Sequence, residues 1–214
     1  MLTFTRCGDT GGTRVSILLY EGVDLLDSGG PYEVFLTANR LALRDGDPAP
    51  FDIETVTTDG QAVTAYGGLG LVPSASGTSL TDTDLLIVPG AIDPSIPCRD
   101  EKLLALIASV NERATSTIAS VCTGAFLLAR VGLLDDKDWT THWEDIDDLT
   151  EQIGTSGAIR GKRWVDAGAV VTSGAISSGI AMALHLVERF ADLTLATRTA
   201  NQIEYEWTET PSQT

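Results

Sequence analysis

Short apolar segments alternate with longer amphipathic ones along the chain, as in proteins whose strands are each followed by a helix. Residues 51–57 alternate apolar and polar side chains, and residues 84–89 (D-L-L-I-V-P) form a short apolar run. Both patterns predict buried strands. Residues 99–113 carry Leu, Ile and Val at helical spacing and predict an amphipathic helix. The same criteria predict strands at 14–20, 115–121, 163–166 and 169–173, a small hairpin of 61–66 with 69–72, and helices at 31–43, 123–134, 177–191 and 193–206.

This alternation predicts an α/β protein, specifically a flavodoxin-like three-layer α/β/α sandwich with a mostly parallel sheet. No repeat, linker or change in composition interrupts residues 14–206, so we expect a single domain over that range. Residues 1–13 are rich in Gly and Thr, and residues 208–214 are polar. Neither segment is periodic, so we expect both to be flexible tails.

The charge balance excludes one class of partner. The 214 residues include 30 acidic and 14 basic side chains, which gives a formal net charge of −16. No basic stripe interrupts this surplus, so nucleic-acid binding is not expected. Residues 1–13 contain no apolar stretch typical of a signal peptide, and no apolar run has the length that a membrane span requires. We therefore expect a cytoplasmic protein without a membrane partner.

The composition also indicates the salt environment. Asp is the commoner acid, with 19 residues, and only 3 of the 14 basic residues are Lys. A surface rich in Asp and poor in Lys stays hydrated in concentrated salt, where screening weakens self-repulsion. We interpret this composition as adaptation to a salty cytoplasm. The alternative is an ordinary acidic cytosolic protein.

The cysteines are free thiols by their number and spacing. Cys7, Cys98 and Cys122 are an odd set at unrelated intervals, which predicts neither a disulfide framework nor a metal cluster. The acidic clusters at 135–138 and 144–148 lack the spacing and the glycine of a calcium loop, so we interpret them as solvated surface. No metal and no cofactor are expected.

Cys122 has the clearest chemical context of the three. It lies in A-S-V-C-T-G-A-F, directly after a predicted strand and before a predicted helix, with the small residues Ser120 and Gly124 on either side. Small residues at these positions are typical of a tight strand-to-helix turn, a nucleophile elbow. Such a turn places the thiol at the carboxyl edge of the sheet and at a helix N-terminus, where we expect a stabilised thiolate. The alternative is that Cys122 is a small buried apolar residue.

Several motifs in a fixed order resemble the ThiJ/PfpI family, whose fold is similar to class I glutamine amidotransferases. Within it, the chain is most similar to the branch of isonitrile hydratases and the N-terminal domains of AraC-type regulators. The resemblance spans about Arg14 to Tyr205. The motifs are L-L-D-S-G-G-P-Y-E-V-F at 25–35, L-L-I-V-P-G at 85–90, S-V-C-T-G-A-F-L-L-A at 120–129, T-T-H-W at 140–143, and the Gly-rich strand and helix at 172–187.

The resemblance implies that Cys122 is the nucleophile and that an acid from the loop after the first strand, Asp27, reaches it. Asp24 and Glu21 lie on the same predicted loop and are the alternatives. A carboxyl group beside a thiolate is pushed toward its protonated form, so it can donate a proton to an intermediate and later take one from water.

Three further residues are candidates for anion and substrate binding. The backbone N–H groups of Gly90 or Ala91, with that of Thr123, are expected to line a pocket beside the sulfur. Thr123 stands where the peptidase-like and glyoxalase-like branches carry His, so a Cys–His mechanism lacks its base here. His142 is predicted on the strand after the elbow, either in the pocket or as part of the core. The second histidine, His185, is predicted on the solvent side of its helix.

The resemblance implies an isonitrile hydratase-like enzyme, which adds water to an isonitrile and releases an N-substituted formamide. The expected substrate is a small neutral organic molecule, and the expected assembly is a homodimer. One alternative is another ThiJ/PfpI activity, either glyoxalase or deglycase chemistry or redox sensing by a low-pKa Cys122. Another is a non-enzymatic ligand-sensing domain like those of the regulators.

Overall fold

The computed structural model describes residues 11–112, 116–154 and 157–211, and its centre is a seven-stranded sheet. Cys7 lies outside the described residues. Both short sheet segments of the predicted hairpin form, as a separate antiparallel pair. The strands are β1 (Thr13–Leu18), β2 (Phe51–Thr57), β3 (Val63–Thr64), β4 (Gly70–Leu71), β5 (Ala75–Ser76), β6 (Leu85–Val88), β7 (Thr117–Ser120), β8 (Trp164–Asp166) and β9 (Val170–Ser173).

The sheet is parallel except at one edge. Its strand order is β5-β2-β1-β6-β7-β9-β8, and only β8 pairs antiparallel to its neighbour. β6 pairs with β1 on one side and with β7 on the other, so the ends of these three strands meet at the middle of the carboxyl edge. Ligands of open α/β proteins bind at this edge, where the strand order reverses.

Helices cover both faces of the sheet, which confirms the predicted three-layer α/β/α fold. Successive residues of a strand point to opposite faces, and β6 shows this directly: Leu85 and Ile87 belong to one core cluster, Leu86 and Val88 to the other. One cluster also contains residues of α1, α5 and α6, and the other contains residues of α2, α3 and α4. The helices are α1 (Leu25–Asp45), α2 (Glu101–Asn111), α3 (Gly124–Arg130), α4 (Ile146–Ile153), α5 (Ser178–Phe190) and α6 (Leu193–Gln202).

The first helix begins six residues earlier than predicted, and this moves Asp27 from a loop into a helical turn. The sequence Gly29-Gly30-Pro31 has the residues of a helix start, so the prediction began at Pro31. In the structure Asp24 caps α1 instead, because its side chain accepts a hydrogen bond from Leu26 N. Gly30 lets the helix pack closely on α5, since a Cβ there would lie 3.0 Å from Ile180 Cγ1 and that side chain would have to shift.

Other predicted boundaries also shift. β1 begins at Thr13, α3 ends at Arg130 and α6 ends at Gln202. Ser177 holds the N-cap position of α5, but its side chain makes no capping hydrogen bond. The segment after α6 contacts the rest of the protein as far as Glu209, whose carbonyl accepts a hydrogen bond from Arg163 N–H. Among the described residues, no helix is long and apolar enough to cross a membrane.

Gly124 is the glycine on which the elbow depends most. A Cβ at Gly124 would lie 2.2 Å from the Val88 carbonyl oxygen, whereas a Cβ at Gly29 of α1 would meet nothing within 4 Å. We expect Gly124→Ala to lower the free energy of unfolding by about 3 kcal/mol, because the turn must move. Gly29→Ala is the matched control and should raise it by about 0.5–1 kcal/mol. Urea unfolding of both variants measures this, and a Gly124→Ala variant as stable as the wild type contradicts the close approach.

Candidate active site

Cys122 occupies the predicted elbow between β7 and α3. Its φ of 53° lies in the left-handed region, which costs energy for a residue with a side chain. Hydrogen bonds hold this conformation: Cys122 N–H donates to the carbonyls of Ser173 (3.2 Å) and Gly174 (3.1 Å). The Cys122 carbonyl in turn accepts the Thr141 hydroxyl at 2.8 Å. The strained backbone at Cys122 is therefore held by the end of β9 and by the segment before α4.

Asp27 is the acid that reaches Cys122. Its side chain is fully buried in the first turn of α1, where Oδ2 accepts Gly90 N–H at 3.0 Å and the carboxyl group lies close enough to the Cys122 side chain for the two groups to shift each other's pKa. Oδ1 has no nitrogen or oxygen partner among the described residues. The two alternatives are engaged elsewhere. Asp24 caps α1, and Glu21 Oε2 accepts Thr64 N–H of the hairpin at 2.9 Å.

Burial controls the proton affinities of both groups. It raises the pKa of Asp27 from 3.8 to about 7, with a further contribution from the charge of Asp24 and opposition from the hydrogen bonds of Gly90 and Cys122. A raised pKa for Asp27 agrees with the prediction, but the largest cause of the rise is burial and not like-charge repulsion. Asp27 therefore exchanges its proton near neutral pH.

The thiol behaves differently from the prediction. Burial, and then the charge of Asp27, raise the pKa of Cys122 from 9.0 to about 12. Backbone hydrogen bonds from Ile176 and Thr123 to the sulfur act in the opposite direction. The expected stabilised thiolate at the helix N-terminus is thus wrong, because the site is too dry and too close to a carboxylate. At neutral pH Cys122 carries its proton.

The predicted anion pocket is only partly correct. Thr123 N–H does contact the sulfur, but Gly90 N–H binds Asp27, and Ala91 N–H donates to Thr123 Oγ1 at 2.9 Å. The same hydroxyl donates to the Ala91 carbonyl at 2.6 Å. Gly90 and Ala91 therefore hold the site together instead of lining an open pocket. The second donor at the sulfur is Ile176, which the sequence analysis missed.

Glycine is required at position 90 because three groups converge there. A Cβ would lie 2.5 Å from Thr123 Oγ1, 2.8 Å from Thr123 N and 2.9 Å from Asp27 Oδ2. Real Cβ atoms do not approach polar atoms this closely, so any side chain at Gly90 would push Asp27 away from Cys122.

His142 does not lie on a strand, and it pairs with an acid of the next helix start. Its Nδ1 is 3.2 Å from Asp145 Oδ2. Of the neighbouring tryptophans, Trp139 is fully buried in the core, whereas Trp143 is 68% exposed. The structure thus places His142 beside Asp145, and its neighbour Thr141 is the residue that supports the elbow.

The remaining candidates lie away from the pair. His185 is partly buried, stacks on Trp164 and lies 2.7 Å from Asp166 Oδ2, so it is not a free solvent-side residue. Cys98 lines a cleft of about 480 Å³ together with Phe126 and Arg130. Neither Cys122 nor Asp27 lines that cleft. In the part of the chain that the structure describes, no three His, Cys, Asp or Glu side chains are grouped as metal ligands.

The chain is similar to several known proteins. The profile of the DJ-1/PfpI family matches residues 13–189. The chain is 33% identical to an isonitrile hydratase from Pseudomonas putida, over 90% of this chain and 78% of that protein. It is 27% identical to the HTH-type transcriptional regulator GbdR from Pseudomonas aeruginosa, over 90% of this chain but 50% of the regulator. A solved ThiJ/PfpI family protein from Pseudomonas syringae, 27% identical, superimposes with a TM-score of 0.77 over 95% of this chain and 78% of its own.

The pKa of Asp27 makes stability depend on pH in a defined direction. Because its folded pKa of about 7 lies above the ordinary 3.8, burial of the protonated carboxyl costs little at low pH; the cost accumulates as pH rises from about 4 to 7 and is complete above 7. We expect the wild type to lose about 2 kcal/mol of unfolding free energy between pH 5 and pH 8 relative to Asp27→Asn. Urea unfolding at both pH values measures the difference.

The control is Glu21→Gln, because that side chain is exposed on the neighbouring turn. Its difference from the wild type should be the same at both pH values. If Asp27→Asn also differs from the wild type by a constant amount, Asp27 does not titrate near neutral pH.

Proposed function

The chain belongs to the DJ-1/PfpI family, and from this premise we propose that it is a cysteine-dependent enzyme that adds water to an isonitrile. The observation that carries the proposal is the burial of the Cys122 thiol beside the Asp27 carboxyl, close enough for each group to shift the pKa of the other. One group is a nucleophile that keeps its proton, and the other titrates near neutral pH. The similarity to an isonitrile hydratase over 90% of the chain supports this choice of reaction.

The first half of the reaction uses the pair to form a covalent adduct. Asp27, as the carboxylate, accepts the thiol proton while Sγ attacks the terminal carbon of the isonitrile. The protonated Asp27 then donates that proton to the same carbon. The product is a thioimidate, R–N=CH–S–Cys122, which contains all atoms of both reactants. A general base is needed because Cys122 is not a thiolate at neutral pH.

The second half hydrolyses the adduct. Asp27 accepts a proton from water as the water oxygen bonds to the thioimidate carbon, and then passes that proton to the nitrogen. The tetrahedral adduct, R–NH–CH(OH)–S–Cys122, then breaks its C–S bond while Asp27 transfers the hydroxyl proton to the sulfur, and R–NH–CHO leaves. Oδ1 of Asp27, which has no hydrogen-bond partner among the residues that the structure describes, is available to this water. The N–H groups of Thr123 and Ile176 stabilise negative charge on the departing sulfur.

The electrostatics of the site favour a neutral substrate. Asp24 and Asp27 lie close enough for the charge of one to raise the pKa of the other, and the whole chain carries a net charge of −16. An anionic substrate would meet this repulsion as it approached the buried pair. A small neutral isonitrile avoids that cost, and its reaction needs no metal or organic cofactor.

The raised pKa of Cys122 weighs against redox sensing, whereas the other alternative functions stay open. Redox sensing by a low-pKa cysteine requires a thiolate at neutral pH, and the raised pKa of Cys122 opposes it. Glyoxalase or deglycase-like chemistry uses the same thiol and remains the competing activity, which methylglyoxal consumption tests. The similarity to GbdR leaves a ligand-sensing role as the non-enzymatic alternative.

We also propose that the protein is a cytoplasmic homodimer. An apolar side of α1 supports the dimer, because Leu25, Tyr32, Leu36 and Leu43 recur at helical spacing and are 36–59% exposed. We propose that this apolar side of α1 packs against a second copy of the chain, since the opposite side of the helix already packs on α5 and α6.

Hydration of p-nitrophenyl isonitrile, followed by ultraviolet absorbance, tests the reaction directly. Measurements at low and at multimolar KCl also test the proposed adaptation to salt. We expect turnover by the wild type, none above background by Cys122→Ala, and a loss of about 10²–10⁴-fold in Asp27→Asn, because it removes the acid–base group.

Glu21→Gln is the control and should keep the wild-type rate. Absence of turnover by the wild type at either salt concentration, with methylglyoxal consumed instead, overturns the proposed reaction in favour of its competitor. A Cys122→Ala variant that retains the rate excludes covalent catalysis by this thiol.

A further inference from the structure

The peptide bond between Pro89 and Gly90 is hydrogen-bonded on both of its polar sides. Its N–H, which belongs to Gly90, donates to Asp27 Oδ2 at 3.0 Å. Its carbonyl, which belongs to Pro89, accepts the Tyr20 hydroxyl at 2.7 Å. Tyr20 and Asp27 therefore lie at opposite ends of one chain of hydrogen bonds that passes through a single planar peptide.

We infer that Tyr20 is a positioning residue for Asp27, which orients and polarises the peptide whose N–H binds the carboxylate. A donor on the carbonyl draws electron density from the N–H and makes it a stronger donor, because hydrogen bonds in a chain polarise one another. The role of Asp27 in proton transfer belongs to the proposed function, and the role of Tyr20 in the reaction rests on it.

The local geometry explains why this peptide needs an anchor. Gly90 has no side chain to restrict its rotation, and a side chain is excluded there by the convergence of Asp27 and Thr123. The next carbonyl, that of Gly90, accepts Asp24 N–H at 2.9 Å, and Ala91 is fixed by Thr123. Tyr20 supplies the contact on the Pro89 side, from the end of β1.

Tyr20 is suited to act as a neutral donor. It is only 6% exposed, and its hydroxyl points from the segment after β1 to the end of β6. Burial, and then the charges of Asp27, Cys98, Cys122 and Asp24, raise its pKa well above the ordinary value of 10.0. The hydroxyl therefore keeps its proton at any pH at which Asp27 titrates.

The ionisable groups that act on Asp27 come from three elements. Asp24 lies in the turn before α1, Cys122 at the elbow after β7 and Tyr20 after β1. Tyr20→Phe leaves Asp24 and Cys122 unchanged and removes the hydrogen bond to the Pro89 carbonyl. The pKa of Asp27 then reports on that bond alone.

Carbon-13 NMR of protein labelled at the Asp carboxyl carbons measures this pKa, with Asp27 assigned by its absence in Asp27→Asn. We expect Tyr20→Phe to raise the pKa of Asp27 by about half a pH unit, a change of about threefold in the ratio of carboxylate to acid. Replacement of Tyr20 by 3-fluorotyrosine, a stronger hydrogen-bond donor, should lower it. An unchanged pKa in these proteins overturns the inference.

Ser116→Ala is the matched control, because it removes another buried hydroxyl that donates to a carbonyl, that of Thr83 at 2.9 Å, at the opposite end of β7. It should lower thermal stability without moving the pKa of Asp27. If Tyr20→Phe does not fold, the 3-fluorotyrosine protein decides the question, since it keeps the hydroxyl and the ring.

The NMR titration needs no substrate, so it stands apart from the test of the reaction. If the protein hydrates an isonitrile, the acidic limb of its kcat/KM profile should move with the pKa of Asp27 in each variant, because the carboxylate is the active form. If no isonitrile is turned over but the pKa still moves, the positioning role stands and the proposed reaction fails.

Discussion

The buried contact between the Cys122 thiol and the Asp27 carboxyl is the interaction on which the rest of the site depends. Both side chains are removed from water, which raises the pKa of each and leaves one proton to move between them near neutral pH. An ionised carboxylate in such a place costs stability unless donors face it. Gly90 N–H is such a donor, the thiol lies beside the carboxyl group, and the elements around the pair are arranged to keep both there.

The fold brings the two groups together from distant parts of the chain. β7 carries Cys122 to the carboxyl edge, α1 returns from β1 with Asp27 in its first turn, and β6 lies between them and ends in Pro89 and Gly90. The three strands are neighbours, so their ends meet at one place. The two core clusters on either side of the sheet fix the strands in register. The site lies at the ends of these strands and is therefore held on a rigid support.

The sequence was sufficient for the features that depend on local pattern. The parallel sheet, both helical layers and the elbow at Cys122 follow from periodicity and from the small residues around the thiol. The sequence was insufficient where long-range hydrogen bonds determine the local structure. Thr141 and Ile176 contact Cys122 from other segments, and no periodic pattern marks them. The helical position of Asp27 was missed because Gly29-Gly30-Pro31 has the composition of a turn. The expected thiolate was wrong because burial outweighs the helix N-terminus.

In the proposed reaction, Cys122 is a protonated thiol that becomes nucleophilic only through Asp27. Ultraviolet absorbance of the thiolate, recorded across pH as the difference between the wild type and Cys122→Ser, separates Cys122 from Cys7 and Cys98. We predict that the thiolate band of Cys122 is absent at neutral pH and develops only in strongly alkaline solution, in line with a pKa raised to about 12. A band that is already complete at neutral pH would contradict the account, because Cys122 would then need no base.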